Sequence, residues 1–95
     1  MKHEDLPPGK MKCHELNEDI ILFANVGGKV YAVSGTCTHE DSPLCLGALR
    51  GHSVMCSLHG SFFDLRTGQA DGDPADIPLK TYDIEISDGN IYVHI

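Results

Sequence analysis

Cys37-Thr38-His39, sixteen residues further Cys56-Ser57-Leu58-His59, and then Gly60-Ser61: these two short clips each offer a cysteine first and a histidine second. Thiolate and imidazole are the side chains that hold iron, zinc or copper, and four such donors complete one centre. Zinc pairs usually have two to four residues between ligands, whereas Cys37 and His39 are separated by Thr38 alone. Blue copper wants two histidines, one cysteine and a weak axial ligand, which leaves a second cysteine unexplained. Iron–sulfur chemistry includes a mixed type in which two histidines replace two cysteines on one iron of a [2Fe–2S] unit. Two Cys-plus-His clips suit it, each giving its sulfur to one iron and its imidazole to the other.

Around the clips the pattern continues. Cys37-Thr-His39-Glu-Asp, Pro43-Leu44, Gly47, Leu49, Gly51, Val54-Met-Cys56-Ser-Leu-His59-Gly60-Ser61-Phe-Phe-Asp64 and Thr67-Gly68 form a continuous 32-residue block that resembles the Rieske iron–sulfur family. Asp73-Pro74-Ala75 and Pro78-Leu79-Lys-Thr-Tyr82 resemble that family's proline loop and the strand after it. Within the family the chain is most similar to the small soluble Rieske ferredoxins of ring-hydroxylating dioxygenase systems. The resemblance implies one [2Fe–2S] cluster per chain, held by Cys37, His39, Cys56 and His59, with the far ring nitrogens of both histidines near solvent. It also implies loss of an imidazole proton at alkaline pH in the oxidised state.

Ninety-five residues make one domain, able to bury about two-thirds of its unfolded surface. No apolar run reaches the length of a membrane span. The first nine residues have neither the apolar core nor the cleavage pattern of a signal peptide, so a cytoplasmic protein is expected. Four cysteines without a secretion signal are expected to stay reduced. With Cys37 and Cys56 assigned to metal, Cys13 and Cys45 read as free thiols. High-potential Rieske proteins carry a disulfide between their cluster loops; the matching positions here are Ser42 and Leu58, so that bond is absent.

The formal charge is −7, from 14 acids against 7 bases, with seven of the acids between Asp64 and Asp88. Such a chain is a poor match for nucleic acid, whose phosphates call for a basic patch. It fits an encounter with a basic docking surface, or simply a solvated acidic exterior.

Short runs with strand composition recur along the chain: 11–16, 19–24, 29–34, 52–56, 62–65, 81–87 and 91–95. The bends between them carry Gly27-Gly28, Arg66-Thr67-Gly68 and Asp88-Gly89-Asn90, the usual hairpin punctuation. Residues 1–10 read as a polar leading arm, and 40–51 and 69–78 as loops. Tyr82, Ile84 and Ile86 alternate with Asp83, Glu85 and Ser87, a strand with one buried face. Tyr31, Tyr82 and Tyr92 read as packing residues, and His3, His14, His52 and His94 as surface or strand-face residues. No segment of about 11 or more residues shows a helical period. The expectation is an all-β domain over 1–95, with a Rieske-type sandwich or barrel base and a small cluster-binding subdomain, about 36–65, inserted between its strands.

Oxidised, two ferric ions, two sulfides and two thiolates cancel, whereas a four-thiolate cluster begins with two negative charges. Adding an electron to a neutral centre is easier, which moves the potential from about −400 mV to between about −150 and +300 mV. Three features point to the lower part of that range. The loop disulfide is absent, Glu40 and Asp41 flank His39, and Phe63 stands where high-potential members have a tyrosine whose hydroxyl reaches the first cysteine. Ser61, the family's other hydroxyl donor, is kept.

The resemblance therefore implies a one-electron carrier with no catalytic residues. It would take electrons from a flavoprotein or iron–sulfur reductase and pass them to a terminal oxygenase, as a monomer without membrane or nucleic-acid partners. A terminal oxygenase would also need a mononuclear iron on two histidines and a carboxylate, for which 95 residues leave no separate domain. The alternative is a small Rieske subunit of a larger redox enzyme such as assimilatory nitrite reductase.

Overall fold

The computed structural model describes residues 1–36, 43–56, 61–71 and 78–94. Among them are nine strands and two 3₁₀ turns, an all-β architecture in two antiparallel sheets. The base contains β1 (Met11–Leu16), β2 (Asp19–Val26), β3 (Lys29–Ser34), β8 (Thr81–Ser87) and β9 (Asn90–His94), in the order β1-β2-β3-β8-β9. The small sheet contains β4 (Ala48–Arg50), β5 (Ser53–Met55), β6 (Phe62–Asp64) and β7 (Ala70–Asp71), in chain order. It is inserted in sequence between β3 and β8. Those two strands close the base by pairing Ala32 with Tyr82 and Val33 with Thr81.

β2 shows why its sequence lacks alternation. Ile21 and Phe23 face a core with Leu6, Val30, Ala32 and Ile91. Leu22 and Ala24 face a second core with Val33, Leu44, Val54, Cys56, Phe63, Leu65 and Leu79. A strand covered on both faces carries apolar side chains at both parities. The second core takes residues from both sheets, so the small sheet is packed onto the base by the same side chains that frame its clips. Each large side chain buried there contributes about 1.5–3 kcal/mol.

The leading arm departs from its polar reading. A 3₁₀ turn, His3–Asp5, is followed by Leu6, which is fully buried. Lys2 bridges to Asn90, and the His3 amide donates to the Gly89 carbonyl at 2.8 Å. Asn25, buried inside β2, donates from Nδ2 to the Leu6 carbonyl at 2.8 Å and accepts from the Gly28 amide at 2.9 Å. One amide side chain thus seats the arm and shapes the β2–β3 turn. Gly27 and Gly28 take φ of 61° and 100° there, the left-handed region that favours glycine.

Two further readings are corrected. Residues 44–50, expected as loop, hold the 3₁₀ turn Leu44–Leu46 and β4. Tyr92, expected to pack, is 51% exposed, because it points away from both cores on the strand that carries buried Ile91. No helix among the described residues is long and apolar enough to cross a membrane.

Candidate metal centre

The two clips leave the fold from different kinds of support. The second lies between β5 and β6, which pair Val54 with Phe63 and Met55 with Phe62. Cys56 follows β5 directly and is 1% exposed, with its amide donating to the Ser61 carbonyl at 2.8 Å. This bond ties the end of β5 to the start of β6. Val54 and Phe63 beside it are fully buried, and Ser61 is 1% exposed. No buried side-chain nitrogen or oxygen among the described residues lacks a partner, so Ser61 is accommodated in this apolar setting.

The first clip crosses from one sheet to the other. It departs from β3 through Ser34, Gly35 and Thr36, and returns at Pro43 into the turn Leu44–Leu46. Thr36 bridges to Pro43, the Leu44 amide donates to the Gly35 carbonyl at 2.8 Å, and the Gly35 amide donates to Ile20 at 2.8 Å. Leu44 is fully buried, while Leu46 on the same turn is 71% exposed. Gly47 then passes so close to Met55 that a Cβ on it would overlap the Met55 carbonyl. The exit of the first clip is thereby fixed against the residue before Cys56.

Of the four expected ligands, Cys56 alone is among the described residues, directly after β5. Cys37, His39 and His59 lie outside the described residues, as do Glu40, Asp41, Ser42, Leu58, Gly60 and Pro74. Cys56 is an unpaired, buried thiol. Buried among apolar side chains, a thiol is either inert or ionised by a bound metal, and a sulfur donor there suits a soft iron–sulfur site. Phe63 has no hydroxyl and packs in the same core as Cys56. The chemistry of Cys56, the one donor among the described residues, is compatible with a mixed thiolate–imidazole cluster.

The remaining histidines are placed elsewhere. His14 meets the Phe23 ring edge-on at 5.8 Å, His52 meets Tyr31 at 6.4 Å, and His94 is exposed on β9. Among the described residues no group of three or more His, Cys, Asp or Glu could hold a metal.

Cys13 and Cys45 overturn the expectation of free thiols. They form a disulfide between β1 and the turn Leu44–Leu46, with Cα atoms 5.8 Å apart and a sequence separation of 32. That Cα spacing is ordinary for such a bond. Sequence reasoning missed it because a compartment argument speaks to the average cysteine, while the fold brings these two together. The close approach at Gly47 was also missed; the sequence placed it in the family-like block and within a loop, with no structural role.

Near the small sheet, Arg66 donates to both carboxylate oxygens of Asp64, at 3.1 and 2.9 Å, and its amide donates at 2.8 Å. These hydrogen bonds hold the Asp64 carboxyl below the usual carboxylate range.

The model of the Rieske [2Fe–2S] domain matches residues 1–83. The chain belongs to the Rieske [2Fe–2S] family. Among the relatives of this Rieske chain is the ferredoxin component of biphenyl 2,3-dioxygenase from Rhodococcus jostii (strain RHA1). It is 38% identical over 96% of this chain and 85% of the relative. The 3-phenylpropionate/cinnamic acid dioxygenase ferredoxin subunit of Photorhabdus laumondii is 41% identical over 97% of this chain and 88% of the relative. A solved structure titled as a complex of reduced oxygenase and oxidised ferredoxin in carbazole 1,9a-dioxygenase holds a chain that superposes with a TM-score of 0.92. It is 30% identical, over 98% of this chain and 96% of that one. The Rieske fold and the [2Fe–2S] cluster that goes with it follow from these matches and from the all-β architecture.

Proposed function

We propose that this protein is a soluble one-electron carrier that passes electrons from a flavoprotein or iron–sulfur reductase to a terminal oxygenase, one that hydroxylates aromatic or related rings. Cys37 and Cys56 would supply thiolates to the cluster, and His39 and His59 would supply imidazoles. The observation that carries this reading is the placement of Cys56, a buried and unpaired thiol at the mouth of a two-clip Cys/His pattern. Relatives named as dioxygenase ferredoxin components, matched over nearly the whole chain, support the carrier role over that of a catalytic subunit.

When bound, the cluster supplies a one-electron couple; the chain's residues hold it and shield it. Leu44, Val54, Phe63 and Leu65 exclude water from the side of Cys56 that faces the base. The reading takes residues 1–95 as a single Rieske domain whose cluster-binding part is about 36–65. It acts as a monomer in the cytoplasm and docks through the histidine edge, and its charge of −7 favours a basic partner surface.

The test is reconstitution. Purified protein should be red-brown, contain two irons and two acid-labile sulfides, and be reduced by NADH through a flavoprotein reductase. Adding a ring-hydroxylating oxygenase should reoxidise it with product formation. Dithionite-reduced protein should give an electron paramagnetic resonance signal with the low average g of mixed His/Cys ligation, and voltammetry should place its midpoint in the lower part of the Rieske range. Colourless protein with zinc and no sulfide would overturn the reading.

A further inference from the structure

We propose that the Cys13–Cys45 disulfide is a thiol-exchange site through which a small dithiol or phosphine reductant opens the neck of the first ligand clip and weakens its hold on the cluster. The cluster half of this statement rests on the function proposed above; the neck half does not.

The bond touches the neck on both sides. Cys45 immediately follows Leu44, whose amide closes the neck onto the Gly35 carbonyl at 2.8 Å. On the other side, Gly35 lies so close that a Cβ there would stand 3.4 Å from Cys13 Sγ. Cys13 is carried by β1 opposite Leu22, and both cysteines pack against the core that contains Leu22, Leu44 and Cys56. The disulfide therefore joins the clip's exit to the base sheet, directly behind the clip's entrance. The turn Leu44–Leu46 is only three residues long, so its orientation depends on burial of Leu44, on the hydrogen bond to Gly35 and on this link.

Both cysteines are half-buried, open enough for attack on one sulfur by a small thiolate or phosphine. With a dithiol, the first thiolate forms a mixed disulfide and releases one cysteine thiolate. The second thiolate displaces the other cysteine and closes the reductant's own disulfide. The cystine gains two electrons and two protons, and the dithiol loses them. A phosphine supplies the same two electrons and leaves as its oxide, taking oxygen from water. Cys13 and Cys45 are then free thiols on separate elements, and the neck rests on its hydrogen bonds and on the burial of Leu44.

The experiment uses the whole holoprotein, under anaerobic conditions, with and without a phosphine. Alkylation by iodoacetamide followed by peptide mass spectrometry should label neither Cys13 nor Cys45 before reduction and both after it. Hydrogen exchange at the Leu44 and Gly47 amides should quicken about tenfold on reduction, and loss of the visible cluster absorbance should quicken by about the same factor. The double variant Cys13→Ala/Cys45→Ala should show the reduced-state rates in both conditions, which separates the effect from direct attack on the cluster by the phosphine. Labelling of both cysteines without reductant would overturn the proposal, as would exchange rates at Leu44 and Gly47 that reduction leaves unchanged. Protein that lacks iron and sulfide from the outset would defeat the proposed function, yet the labelling and exchange measurements would still decide whether the disulfide governs the neck.

Discussion

The two ligand clips have the same residue order and opposite kinds of support. The second is the loop of a hairpin, closed by the Cys56 amide on the Ser61 carbonyl and walled by the fully buried Val54 and Phe63. Its closing hydrogen bond and its two walls all lie within a dozen residues. The first is a crossover from β3 of the base to the small sheet. Its neck depends on Ile20, on Cys13 and on Met55, residues far away in sequence. The same Cys/His pattern can thus be hung on a local scaffold or on a distributed one, and the distributed one is exposed to changes elsewhere in the molecule.

Removing a donor tests the local clip most severely. Cys56→Ser should lower iron and acid-labile sulfide content by more than about tenfold, since loss of a supporting contact alone costs 10–100-fold. Metal analysis of the purified variant checks this, and near-normal content would remove Cys56 from the ligand set. Next comes the seam between the clips. Gly47→Ala forces the backbone away from Met55 and should destabilise the fold by about 1–3 kcal/mol, read by urea unfolding. Gly51→Ala, where a Cβ meets nothing but φ is 55°, should cost about 1 kcal/mol from backbone strain alone. Equal effects would mean that the close approach at Gly47 has no special weight.

Asn25→Ala acts on the base and leaves both clips untouched. It removes a buried donor and an acceptor and should cost about 1–3 kcal/mol, while the cluster's absorbance per iron stays the same. A spectral change would show that the base and the second clip are more tightly joined than the geometry implies. Phe63→Tyr returns a hydroxyl to the core beside Cys56. One hydrogen bond of about 1 kcal/mol to the reduced centre would raise the midpoint on the order of 40 mV, measurable by voltammetry. The smallest effect belongs to Asp64. Arg66 lowers its folded pKa, so the stabilisation is complete above the ordinary carboxylate value of about 3.9 and is lost as pH falls through the lowered folded value. Asp64→Asn should slightly reduce the loss of stability in acid titrations followed by circular dichroism, and added salt should shrink the difference.

What could be read in advance follows the same division. Cys56, Phe63 and the strands around them were legible, because ligand spacing and hairpin punctuation are local properties. The β8–β9 hairpin was legible for the same reason: Tyr82 and Ile84 are half-buried, and Asp83 and Glu85 exposed, although Ile86, expected on the buried face, is 42% exposed near the hairpin's end. β4 was not, since Ala48-Leu49-Arg50 is too short to show a period and becomes a strand only by pairing with β5. Leu6 looked like an isolated apolar residue in a polar arm; its burial depends on Asn25 and on the cover given by β9. The Cys13–Cys45 bond is the clearest case. Nothing in either residue's neighbours indicates a partner 32 positions away, and only the packing of Leu44 beneath β1 brings them together.

The seam at Val33–Thr81 and Ala32–Tyr82 has a consequence for biosynthesis. Strands β1 to β3 can pair as soon as they leave the ribosome, but the base cannot close until the final quarter of the chain has been made. Both clips therefore emerge before the wall that will steady them. Delivery of iron and sulfide is best timed after β8 has zipped onto β3, when the polypeptide can no longer offer its thiols to the wrong partner.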